Sequence, residues 1–208
     1  MKRGAIASLR DLAPLRPLTR HEALSIAERQ ALRFLVLAGI ETAPVPEHVI
    51  SGLPRMQVER VTALPASGAA QWADGRWLIL LNRSEPATRQ RFSLAHELKH
   101  VVDHPFVDRL YGSIDASERA AWIEQVCDYF AGCLLMPRPW LKRAYAARPD
   151  VTRLAQLFEV SRAAMNMRLN QIGMTDALPR CERPTTRRPP TRSRTRYERR
   201  ATLLVGQP

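Results

Sequence analysis

Cysteine is scarce in this chain, three residues among 208 with no CxxC pair. An odd, unspaced set argues against a disulfide framework and suits a reducing cytoplasm. Cys127 and Cys133 fall in an apolar helical run and read as small buried hydrophobes. Long apolar runs are missing too. The richest stretch, residues 31–40, is too short to cross a bilayer and is broken by Arg33. No compact apolar run and small-residue cleavage site follow the basic Met1-Lys2-Arg3 start, so nothing reads as a secretory signal and the expected location is cytoplasmic. Acid is short as well, 20 residues against 32 basic ones, for a net charge of +12. That excess is uneven: residues 179–208 hold nine arginines against two glutamates. The remainder has the ordinary composition of a soluble domain with one good-sized core.

Periodicity divides the chain. Residues 1–18 are basic and proline-punctuated and read as a loose leader. Thr19 and Glu22 form a capping-box pattern for a helix running to Gly39, with an apolar face of Leu24, Ala27, Ala31, Phe34, Leu35 and Ala38. A short helix near residues 46–50 precedes a β-rich region around Val58 and Val61. Residues 69–72 and 77–82, joined through Asp74-Gly75, read as a hairpin. Ser84 is the expected cap of the next helix, with Pro86 in its first turn, and that helix must stop near His104-Pro105. A loop to about Ile114 leads to a helix over 116–135, capped by Asp115 or Ser117 and ended by Pro137. Shorter helices follow over 140–146, 152–158 and 162–172. Beyond Gly173 the Arg, Pro and Thr content leaves too little apolar surface to offset ordering entropy, so 179–208 is expected to be disordered.

The chemistry concentrates at His96-Glu97-Leu98-Lys99-His100, an HExxH pattern inside a helical segment. Histidines four apart share one helix face, so both imidazoles can reach one ion, with Glu97 beside the first to take a proton from water. Zn²⁺ suits two imidazoles, a carboxylate and an open position. The third ligand is either Glu124 or Asp128, which lie one turn apart on the following helix; spacing alone does not choose between them.

Residues 91–100, together with Glu124-Gln-Val-Cys-Asp-Tyr-Phe-Ala-Gly-Cys-Leu-Leu-Met-Pro137, resemble the ImmA/IrrE family of zinc metallopeptidases. The similarity continues through Trp77-Leu-Ile-Leu-Leu-Asn82 and through Leu154–Ser161 with Arg168-Leu169, covering about residues 20–173. It implies an α+β fold: a mainly helical, zincin-like domain over residues 19–178, with a small β-sheet and a C-terminal helix pair. The metal would lie between the HExxH helix and the Glu124 helix. By the same resemblance His96, His100 and Glu124 bind one zinc ion, Glu97 is the catalytic base, and Asp128 orients a ligand histidine. Lys99 stands where many members have glycine, and is expected to face solvent. His104 extends the i, i+4 series but precedes Pro105, which favours an outer or helix-end role over ligation. Tyr111 and Tyr129 are expected as half-buried core aromatics. Trp72 and Trp77 flank the hairpin turn, where an edge strand near the metal could pair with an extended peptide.

The resemblance implies an endopeptidase acting on a separate helix-turn-helix repressor of a phage, mobile element or stress regulon. The donor set would also accept Mn²⁺, Fe²⁺ or Co²⁺. The rival reading is a non-catalytic regulator that binds a repressor or DNA, since residues 152–172 resemble a helix-turn-helix and a basic tail able to contact phosphates follows. Against it, Val151, Leu154, Leu157, Phe158, Val160, Met165 and Leu169 form an apolar set that must dock on the main core.

Overall fold

The Thr19 side chain accepts the Glu22 N–H while the Glu22 carboxylate accepts the Thr19 N–H, so the expected capping box starts a long helix. In the computed structural model, which describes residues 4–174, that helix is α2 (Arg20–Ala38), ended by Gly39 at φ 68°. It follows α1 (Ala5–Arg10) and precedes the short α3 (His48–Ser51). Three strands come next, β1 (Met56–Val61), β2 (Gly68–Ala73) and β3 (Arg76–Asn82). The helices α4 (Ala87–Asp103), α5 (Val107–Tyr111), α6 (Ala116–Leu135), α7 (Arg138–Ala147), α8 (Val151–Phe158) and α9 (Arg162–Gln171) complete the described chain. The architecture is α+β, mainly helical with a small mixed sheet, as expected.

The sheet has the order β1-β3-β2, with β1 parallel and β2 antiparallel to β3. Trp77, Ile79 and Leu81 of β3 are buried in alternation, so they mark the face turned to the core. Their partners across the ladder, Trp72, Ala70 and Gly68, share that face and bring β2 against α4. The other edge of β2 has no partner strand among the described residues.

Three long helices hold the core. α6 packs on both α2 and α4, and α4 also packs on α1, β2 and β3. A helix enclosed on so many sides buries more than one stripe: nine of its residues from Ser93 to Asp103 are inaccessible, polar ones among them. The α8–α9 pair docks as the apolar pattern required, through Leu154, Phe158, Val160, Met165 and Leu169. Leu157 is the exception, being exposed.

Several local expectations need correction. The leader contains α1, whose Leu9 is fully buried, and Arg10 donates to the Val101 and Val102 carbonyls near the end of α4. Basic residues there cap a neighbouring helix, which charge counting cannot reveal. Pro86, not Ser84, occupies the N-cap of α4, and the Ser84 N–H is taken by the Asn82 side chain. The span expected as a loop before Ile114 contains a 3₁₀ turn (His104–Phe106) and α5. Residues 179–208, their expected disorder and phosphate contacts, and Cys181 lie outside the described residues.

Candidate metal centre

α4 brings His96 and His100 onto the face it turns to α6, and α6 offers Glu124 and Asp128 from the other side. The His96 and His100 Nε2 atoms are 3.1 Å apart. The Glu124 carboxylate closes the figure, with Oε2 at 3.2 Å from His96 Nε2 and Oε1 at 3.3 Å from His100 Nε2. Tetrahedral zinc with bonds of about 2.0–2.1 Å needs ligand atoms roughly 3.3–3.4 Å from one another. The three edges fit that requirement closely, so these side chains can hold such an ion.

Asp128 does not join the triangle. Its Oδ1 lies 2.8 Å from His96 Nδ1, the arrangement that leaves the Nε2 lone pair free for a metal. Cys127 is the competing donor, because its sulfur falls with one nitrogen of each histidine in a cluster no wider than 4.8 Å. Its thiol, however, is buried and held well above its ordinary pKa by desolvation. The Glu124 carboxylate is exposed, with a 59 % accessible side chain. The distances, together with the raised pKa of the buried Cys127 thiol, favour Glu124.

The electrostatics divide the pair of histidines. Burial disfavours the charged form of both. In His96 the hydrogen bond and charge of Asp128, with help from Glu97 and Glu124, outweigh that and raise the pKa. In His100 burial and the neighbouring His96 prevail and lower it. Glu97, only 7 % exposed, is pushed up to about 7, chiefly by desolvation. None of the hydrogen bonds among the described residues ends on its carboxylate. Both features suit a base near neutral pH.

Two neighbours of the centre escaped sequence reasoning. Gly68 of β2 faces Glu97 so closely that a Cβ there would lie 2.9 Å from Glu97 Oε1. A glycine inside a strand pattern is a recognised sign of close approach. Lys99, expected at the surface, is 1 % exposed. Its ammonium donates to Gln30 Oε1 and Asp103 Oδ1, both at 2.7 Å, while Tyr111 donates to Asp103 Oδ2 at 2.5 Å. The enclosure of α4 is the reason: its non-ligand face meets α2, and the charge is compensated there. The spacing of Lys99 and Asp103, one turn apart, was the available signal.

The other candidates stand apart. His104 is exposed and packs edge-on against Trp77, ring centroids 4.9 Å apart. Tyr129 is half-buried and donates to Glu28, whereas Tyr111 is fully buried. Trp72 is 50 % exposed and meets Trp77 edge-on. No helix among the described residues is long and apolar enough to cross a membrane.

Comparison with known proteins bears on the family and the fold. Residues 56–170, more than half of the chain, match the Peptidase M78 model, described as the IrrE N-terminal-like domain. The radiation response metalloprotease IrrE of Deinococcus radiodurans is 30% identical over 102 residues, covering 43% of this chain and 31% of that protein. A Mycobacterium tuberculosis transcriptional regulator of known structure superposes with a TM-score of 0.57 at 19% identity, over 86% of this chain and 54% of that one. The chain thus spans about a third of the length of the curated relative, and the likeness to the regulator is one of fold.

Proposed function

The chain belongs to the Peptidase M78 family, and from that premise we propose that it is a zinc-dependent endopeptidase cutting a helix-turn-helix transcriptional repressor. The observation that carries this reading is the triangle of two Nε2 atoms and one carboxylate, with edges of 3.1–3.3 Å beside a buried glutamate. His96, His100 and Glu124 would hold the ion. Bound there, zinc supplies Lewis acidity and lowers the pKa of water. Glu97 takes the proton of the attacking water on its carboxylate and delivers it to the leaving amine nitrogen as the peptide bond breaks. Asp128 fixes the His96 ring by accepting from Nδ1–H. The unpaired edge of β2 offers backbone groups to an extended substrate.

The peptidase domain is taken as residues 19–178, with α1 packed on it, and the Arg-rich segment 179–208 as a weak, non-specific phosphate contact in the cytoplasm. The choice of a repressor as substrate rests on the family resemblance. The test mixes the zinc-loaded full chain with purified helix-turn-helix repressors from the same genome. Two fragments with one new terminus, lost on chelation, are expected. An intact repressor held in a complex would replace catalysis with the non-enzymatic regulatory reading.

A further inference from the structure

We infer that the groove between α4, α6 and α9 receives a large apolar side chain of the substrate, next to the bond to be cut, and so sets sequence specificity. This rests on the peptidase reading. The groove encloses about 670 Å³, within the range of about 300–1,000 Å³ typical of sites that bury an apolar ligand. Phe92, Trp122, Met136, Ala164 and Met167 give it a largely apolar wall. It adjoins the metal pocket, of about 210 Å³, since Arg89, Phe92 and Asp128 line both. A chain lying over His96 and Glu97 therefore has this groove as its neighbour.

Three further features fit a peptide as the occupant. The indole N–H of Trp122 is buried with no hydrogen-bond partner among the described residues. An unsatisfied donor on this wall suits a backbone carbonyl accompanying an apolar side chain. Gly132 adds space. It sits inside α6, where glycine is disfavoured relative to alanine, yet a Cβ there would touch only Arg168 and Gln171, at 3.7 and 3.8 Å. The missing side chain leaves the floor open. At the rim, Met167 is 62 % exposed and its flexible thioether can close over varied occupants.

The test profiles cleavage of a random peptide library by the zinc-loaded full chain, and measures binding of labelled library peptides to the zinc-loaded Glu97→Gln protein. Leu, Ile, Met or Phe should dominate one fixed position beside the scissile bond, with binding at least about 10-fold tighter than for alanine there. Gly132→Leu, which fills the floor, should collapse that ratio towards one while zinc content stays at one per chain. Ala164→Phe, from the opposite wall, does the same if Gly132→Leu fails to fold. A flat profile, or a preference unmoved by either substitution, overturns the proposal. So does a dimer that both substitutions dissociate, which would make the groove an interface between copies. Selective, groove-dependent binding with no cleavage by the unmodified chain would uphold the groove and overturn the peptidase reading.

Discussion

Glu97→Gln should make the metal-free protein more stable, and only at neutral to alkaline pH. The ordinary carboxyl pKa is 4.5, while burial against β2 and the charge of Glu124 push Glu97 up to about 7, despite the opposing pull of His96. Below 4.5 both folded and unfolded chains carry the proton and the group contributes nothing. Between the two values the folded chain binds the extra proton, so stability falls as pH rises. Above about 7 both states are ionised and the full penalty is present, about 3 kcal/mol at ~1.4 kcal/mol per pH unit. Glutamine keeps the shape and the Gly68 contact but has no charge to bury. Denaturant unfolding of chelated protein should therefore find Glu97→Gln about 3 kcal/mol more stable at pH 8, and within about 1 kcal/mol of the unmodified chain at pH 5. Zinc loading should shrink the difference at pH 8, since a nearby cation favours the carboxylate. A difference independent of pH, or a less stable glutamine variant at pH 8, would refute the reasoning.

Three other substitutions separate the roles assigned around the centre. Glu124→Gln should weaken zinc binding by about 100-fold or more in a competition titration, whereas Cys127→Ala should leave it unchanged; the reverse result would make the sulfur the third ligand. Lys99→Met leaves the buried Asp103 carboxyl with Tyr111 as its remaining hydrogen-bond partner and the Arg10 charge nearby, and should cost about 3 kcal/mol in denaturant unfolding, against the ±0.5 kcal/mol or so of a surface substitution. Gly68→Ala forces the far end of the Glu97 side chain aside. It should lower kcat by about 10- to 100-fold while barely moving zinc affinity or stability, and unchanged kcat would contradict the role given to that contact.

What could be read in advance followed local chemistry. The Thr19–Glu22 box, the Asp74-Gly75 turn and Pro137 each act within a few residues, and α2, the β2–β3 hairpin and the end of α6 stand where those signals put them. The HExxH spacing is also local, so both histidines emerge on one face. Glu124 and Asp128 needed the packing of α6 on α4 before one could be seen to close the triangle and the other to reach Nδ1. Lys99 was misjudged because its exposure is a property of the whole assembly: a helix packed on α1, α6 and the sheet, with Gln30 of α2 accepting from the ammonium, leaves its lysine no route to solvent. Arg10 shows the same limit, since its partners lie some 90 residues along the chain. Gly68 differs, because the glycine was visible and only its neighbour was not.

Cleavage at matched metal content bears most directly on the central claim. The unmodified chain and Glu97→Gln, each verified to hold one zinc ion, are incubated with the same protein substrate, and new termini are counted by mass spectrometry. The unmodified chain should generate a defined terminus that chelation abolishes, and Glu97→Gln should generate none above background. Equal cleavage by both proteins, or none by either when fully metal-loaded, would contradict a peptidase built on His96, His100, Glu124 and Glu97.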